Sequence, residues 1–219
     1  MLAILFTGAA LAGAREDADA AYKQGDYATF LGLIRPLAEQ GDATAQWAIA
    51  GRYAMGEGVP QDFAHAATWY RKAAEQGYAL AQTTLGLLYE DGKGVPQDFG
   101  KAATWLRKAA EQGDAAAQDN LGILYQDGKG VPLDSAEAVT WLRKAADQGY
   151  GPAENNLGKL YDAGQGVPQN FIVAHMWFNL AAARGLADAG TRRDQIAAKM
   201  TPDQIAEAQR MAIEWKPKP

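Results

Sequence analysis

Cysteine is absent from the chain. That excludes disulfides, thiolate nucleophiles and thiolate-ligated metals together. Histidine occurs twice, at 65 and 175, and serine once, at 135. Neither histidine has a second histidine three or four residues away, so a histidine-built metal site is not expected. No stretch approaches the run of about 18 apolar residues that a spanning helix needs. Positive charge is not in excess either: 21 Lys and Arg face 26 Asp and Glu, a formal net charge of -5. A chain of this balance has no long-range attraction for phosphate backbones, and nucleic acid is not an expected partner.

Against these absences stands a repeat. Gly41, Gly77, Gly113, Gly149 and Gly185 open successive copies 36 residues apart, with Tyr53, Tyr89, Tyr125 and Tyr161 and then Trp69, Trp105, Trp141 and Trp177 at fixed places within them. A period between about 20 and 50 residues is the signature of units that stack on their neighbours. The layout read from it is a capping half-copy over 15–40, four full copies over 41–76, 77–112, 113–148 and 149–184, and a divergent capping segment over 185–219.

Each copy divides into two helices around a glycine-rich bend. In the first, Ala81, Leu85, Leu88 and Tyr89 fall on one face of a 3.6-residue period, which predicts core. Gly86, Gly122 and Gly158 interrupt that helix, and the tryptophans of the second helix are expected to fill the space they open. Gly56, Gly92, Gly128 and Gly164 stand where a helix closes on a left-handed residue. Gly-Val-Pro follows, and proline holds the preceding valine extended, so the chain must turn. Asp62, Asp98, Asp134 and Asn170 are then placed to cap the second helix. In it Ala102, Trp105, Leu106 and Ala109 share one face. On the outer side Arg71 and Glu75, Arg107 and Glu111, and Arg143 and Asp147 are spaced as exposed ion pairs.

The ends depart from the pattern. Met1 to Ala14 is apolar, carries no charged side chain and closes on Ala12-Gly13-Ala14 before Arg15-Glu16-Asp17. This segment reads as an export signal, giving a periplasmic or secreted protein. In the half-copy only the tail of a first helix, near Ala18 to Gln24, is expected, and Pro36 falls inside the second. At the other end Thr201-Pro202-Asp203-Gln204 opens a last helix with a capping box. Ile205, Ala208 and Ala212 should face inward with Met211 and Trp215, leaving Lys216 to Pro219 as a frayed tail.

The two helices, the Gly-x-Gly-Val-Pro bend and the Trp-Leu-Arg-Lys-Ala-Ala segment together resemble the Sel-1-like repeat family, relatives of the tetratricopeptide repeats. The resemblance covers 41–184 in full, with the half-copy before it and the capping segment after it. It implies an all-α fold, a right-handed αα-superhelix or solenoid of helix-turn-helix repeats whose first helices line the concave side. It further implies a non-catalytic adaptor, in bacteria often tied to polysaccharide secretion or host contact. A cysteine-rich branch of the family is linked to β-lactams, but the disulfide of each of its repeats is missing here.

The catalytic inventory is thin. Ser135 substitutes for Phe63, Phe99 and Phe171 at a helix start, with no base placed by sequence to activate it. The Gly-x-Gly bends lack the strand, third glycine and lysine of phosphate-binding loops. The tryptophan column could stack on sugars, yet its helical spacing points to packing. No cofactor is expected. The expected partner is another protein, held as an extended segment along the first-helix face that opposes the core. That row runs through Trp47, Thr83, Leu87, Glu90, Asp119, Ile123, Gln126, Asn155 and Lys159, mixing apolar with amide and charged groups as peptide grooves do. The alternative is a binder of cell-wall glycan or a weak β-lactam hydrolase.

Overall fold

The computed structural model of the protein describes residues 8–218. The first half of the segment read as an export signal therefore lies outside the described residues. Among those described there are twelve α-helices and no strand. They run α1 (Gly8–Lys23), α2 (Tyr27–Glu39), α3 (Ala43–Met55), α4 (Phe63–Glu75), α5 (Ala79–Asp91), α6 (Phe99–Glu111), α7 (Ala115–Asp127), α8 (Ser135–Asp147), α9 (Gly151–Ala163), α10 (Phe171–Ala183), α11 (Ala187–Ala197) and α12 (Pro202–Glu214). The fold is all-α, a tandem series of helical hairpins. It divides into two compact units, one ending at Trp105 and the other starting at Leu106.

Each hairpin is built as its sequence dictates. Gly56, Gly92, Gly128 and Gly164 close the first helices in the left-handed region at φ of 66 to 72°. Asp62, Asp134 and Asn170 cap α4, α8 and α10 by accepting backbone N–H bonds, and Asp98 accepts from the Lys101 N–H at 2.9 Å. The second glycine of the bend has a stricter reason to be glycine. A Cβ on Gly94 would sit 2.1 Å from the Phe63 carbonyl oxygen, and one on Gly166 would sit 2.1 Å from that of Ser135. Each of these bends thus rests directly on the start of the second helix in the copy before it.

The core follows the two helical faces. Ala81, Leu85, Leu88, Tyr89, Ala102, Leu106 and Ala109 are all buried, and so are their counterparts Leu121, Leu124, Leu142, Leu157 and Leu160. Burying one such leucine is worth roughly 1.5–3 kcal/mol. The notch residues are filled differently from the expectation. A Cβ on Gly122 would meet Leu142 Cγ at 2.7 Å, and one on Gly158 would meet Phe178 at 2.6 Å. The residue after the tryptophan enters the notch, since one position along a helix turns the side chain by about 100°. Trp141 and Trp177 are buried while Trp69 and Trp105 are half-buried, and Lys72 and Lys144 lie across the rings of Trp69 and Trp141 at 4.1 and 4.0 Å.

The arginines expected to form exposed ion pairs with Glu75, Glu111 and Asp147 point elsewhere. Arg71 donates to the Tyr89 hydroxyl at 2.9 Å and Arg107 to that of Tyr125 at 2.7 Å; Arg143 likewise donates to Tyr161. Phenol and guanidinium join one second helix to the next first helix, a stronger pairing than an i,i+4 contact in water.

The ends also differ in detail. α1 extends back to Gly8, beyond the short tail expected, and α2 continues through Pro36. Thr201 and Gln204 form the reciprocal capping box that their spacing predicts. Trp215 packs edge-on against Trp177, centroids 6.0 Å apart. The following tail is held rather than frayed: the Lys218 N–H donates to the Asp147 carbonyl at 2.6 Å, and its Nζ reaches Asp147 Oδ2 at 2.9 Å.

Candidate functional site

In the first unit the predicted row comes from α3 and α5. Thr83 is buried, its hydroxyl returned to the Ala79 carbonyl at 3.1 Å, while Leu87 and Glu90 one and two turns on are half-buried. Trp47, in the place of Thr83 one copy earlier, is half-buried with its ring edge on Tyr78 at 6.0 Å.

Trp47 also walls a cavity of about 310 Å³ together with Tyr22, Phe30, Ala48, Gly51, Arg52, Met55 and Tyr70, with Asp19 in its lining. Sequence reasoning missed Arg52. The signal was present, because Arg52 occupies the column of Leu88, Leu124 and Leu160. A guanidinium in a leucine column must be compensated by its surroundings. Only 8% exposed, it faces the Tyr22 ring at 4.6 Å and pairs through Nη1 with Glu57 Oε2 at 2.5 Å.

In the second unit α7 and α9 carry the row. Asp119 and Asn155 are buried; Ile123, Gln126 and Lys159 are half-buried. Asp119 accepts from Asn156 Nδ2 at 2.9 Å, and Lys159 Nζ donates to Asn156 Oδ1 at 3.1 Å, so the amide relays between carboxylate and ammonium. Burial outweighs both helpers and pushes the Asp119 carboxyl up to about 6. The same loss of solvent raises the Tyr150 phenol, with the charges of Asp119 and Asp114 adding to it.

A second missed feature is a column one residue earlier. Gln46, Gln82 and Gln118 each donate Nε2 to a carbonyl of the preceding helix, Ala38, Ala74 and Ala110, at 3.0 Å. Gln76 reaches Gln46 and Gln148 reaches Gln118 at 2.8 and 2.9 Å. In the last copy Glu154 and Arg184 replace the pair, with Arg184 Nε 2.9 Å from both carboxylate oxygens. Burial raises the Glu154 carboxyl and the guanidinium opposes the rise.

The catalytic candidates stay apart from any such constellation. Ser135 is the first residue of α8, and its carbonyl supports the Gly166 bend. His65 is exposed and stacks on Tyr53 at 4.8 Å, with Nδ1 3.4 Å from Asp62. His175 is buried, which lowers its pKa, with Arg193 adding to the fall and Asp194 opposing it. Among the described residues no three metal-ligating side chains gather, and no helix is long and apolar enough to cross a membrane.

The Sel1 repeat model matches the chain four times in register, over 43–78, 79–114, 115–150 and 151–186. Two solved structures are similar in sequence as well as fold. A protective antigen present in uropathogenic Escherichia coli strains, displaying an SLR fold, is 36% identical over 84% of this chain with a TM-score of 0.76. The match spans only 40% of that longer protein. A Sel1 repeat protein from Oxalobacter formigenes is 32% identical, TM-score 0.79, over 92% of this chain and 82% of its own. An immunity protein from Pseudomonas aeruginosa shares the fold at 22% identity, TM-score 0.54, over 91% of this chain and 79% of its own. No curated protein matches.

Proposed function

This chain belongs to the Sel1 repeat family, whose repeats generally mediate protein–protein interaction, and we propose that it is a non-catalytic scaffold holding an extended segment of another protein. In each of the two units the partner lies on the first-helix face: over Trp47, Leu87 and Glu90 in one, over Ile123, Gln126 and Lys159 in the other. Thr83, Asp119 and Asn155 form the buried floor beneath those residues.

The observation that carries this reading is the half-burial of Trp47, Leu87 and Ile123 in helices whose opposite face is fully packed. Apolar groups left accessible beside amides and charges suit an anchor residue flanked by backbone hydrogen bonds. The role of Ser135 as a helix start and bend support favours this reading over hydrolysis.

Selection from a random peptide library on the whole chain tests it. Peptides that bind wild type should lose at least tenfold in affinity for the Trp47→Ala, Leu87→Ala, Ile123→Ala triple variant; equal binding would sink the proposal. Export is part of the same proposal and rests on the composition of residues 1–14 and on the antigenic character of the Escherichia coli relative. Sequencing the mature protein should begin at Arg15, and a retained Met1 in an exported preparation would contradict a cleaved signal.

A further inference from the structure

Three substitutions peculiar to the first full copy meet at one cavity. Trp47 replaces Thr83, Asp119 and Asn155; Arg52 replaces Leu88, Leu124 and Leu160; Tyr70 replaces Leu106, Leu142 and Phe178. All three line the hollow of about 310 Å³ in the first unit. The first copy follows the half-copy directly, and Arg52 lies over its Tyr22, Tyr27 and Phe30 rings, while Trp47 and Tyr70 line the same space without filling it.

Two of the side chains there carry donors without an acceptor. Arg52 Nε and the Trp47 indole Nε1 are buried and neither has a hydrogen-bond partner. Leaving a buried donor unmade costs free energy that an incoming acceptor recovers. The walls are aromatic: Tyr22, Phe30, Trp47 and Tyr70. A second hollow of about 240 Å³ shares Asp19, Phe30, Trp47 and Ala48 with the first and continues to Ile34, Thr44, Ala45, Tyr78 and Arg15, whose charge is met by Asp42.

We propose that this cavity is the anchor pocket for an internal peptide segment: a large apolar side chain fills the aromatic walls, and the backbone carbonyl beside it accepts from Arg52 Nε and the Trp47 indole. The inference rests on the peptide-binding reading above. Charge decides for a neutral carbonyl over a terminal carboxylate. Arg52 is already neutralised by Glu57 at 2.5 Å, and Asp19 adds a further negative charge to the lining. A free carboxylate would meet two like charges for one shared cation, whereas an amide carbonyl meets none.

The test is an NMR titration of the whole chain with N-acetylphenylalaninamide, read at the Trp47 indole proton. Saturable shifts at millimolar probe are expected. Gly51→Leu should weaken them at least tenfold, since a Cβ there meets only the Tyr70 hydroxyl at 3.7 Å, so the side chain fills the hollow without disturbing the helix. Arg52→Leu restores the residue of the other copies, should fold, and should weaken binding about fivefold through the lost hydrogen bond.

Absence of saturable shifts, or equal affinity in either variant, overturns the pocket. Tighter binding of N-acetylphenylalanine than of its amide overturns the internal segment in favour of a chain terminus. A failed pocket together with affinity loss in the Leu87→Ala, Ile123→Ala variant removes this inference alone; failure of both removes the peptide-binding reading itself.

Discussion

Glu154 and Arg184 stand 30 residues apart, as Gln118 and Gln148 do one copy earlier, and each pair closes the same contact between a first helix and the end of its second. An amide pair and an ion pair are thus interchangeable in this seat, provided both members change together. The carboxylate is fully buried while the guanidinium keeps 35% of its surface.

Arg184→Gln alone leaves a buried carboxylate without its cation, and should cost about 2–3 kcal/mol, below the range for a fully buried pair because water screens the arginine. Glu154→Gln, Arg184→Gln should recover most of that loss, with the new amide at position 154 free to donate to the Ala146 carbonyl as its counterparts do. Urea unfolding of the two singles and the double would show it. A double variant no better than the worse single contradicts interchangeability.

Asp119 supplies a pH dependence of definite sign. Its folded pKa of about 6 lies above the ordinary 3.8. The folded state therefore holds its proton more tightly, so stability is greatest below pH 4 from this group and is lost as pH rises to about 6. The full loss is on the order of 3 kcal/mol. Asp119→Asn should be more stable than wild type at pH 7.5 and should lose this slope. Thermal unfolding across pH 4–8 measures both, and a parallel pair of curves would refute the assignment.

Glycine substitutions should separate by neighbourhood. Gly94→Ala combines a φ of +70° with a Cβ 2.1 Å from the Phe63 oxygen, and should cost more than about 3 kcal/mol or prevent folding. Gly32 lies inside α2 with nothing within 4 Å of its Cβ position. Gly32→Ala should therefore stabilise by about 0.5–1 kcal/mol. Denaturant midpoints of the two would test the contrast, and similar losses at both sites would contradict it.

The hydroxyls of Tyr89 and Tyr125 tie consecutive hairpins through Arg71 and Arg107. Tyr89→Phe or Tyr125→Phe should cost about 0.5–1.5 kcal/mol each. Calorimetry would detect it; a loss of zero at both would show that water serves the arginines equally well.

Most of the hairpin architecture was legible because its causes are local. A left-handed glycine, a proline and an aspartate in fixed order stop one helix and start the next, and those requirements show in any copy. What escaped was relational. Whether Trp141 or Leu142 enters the Gly122 notch depends on the rotation of one helix against another, which a linear pattern leaves open by one residue. Arg71 looked like half of a surface pair because Glu75 is four residues on, while its actual partner is 18 residues away. Arg52 was visible as a charge in a leucine column, yet its significance depended on where Trp47 and Tyr70 came to lie. The candidate row was found as a face, and its division into a buried floor and an accessible rim needed the packed helices.

Because the Gly94 bend is seated on the start of α4, and the Gly166 bend on the start of α8, the α3–α4 and α7–α8 hairpins each leave behind the landing place the next bend requires. Duplication or loss of a whole period preserves a join of this kind, whereas gaining or losing one residue within a period would put the next bend out of step with its landing.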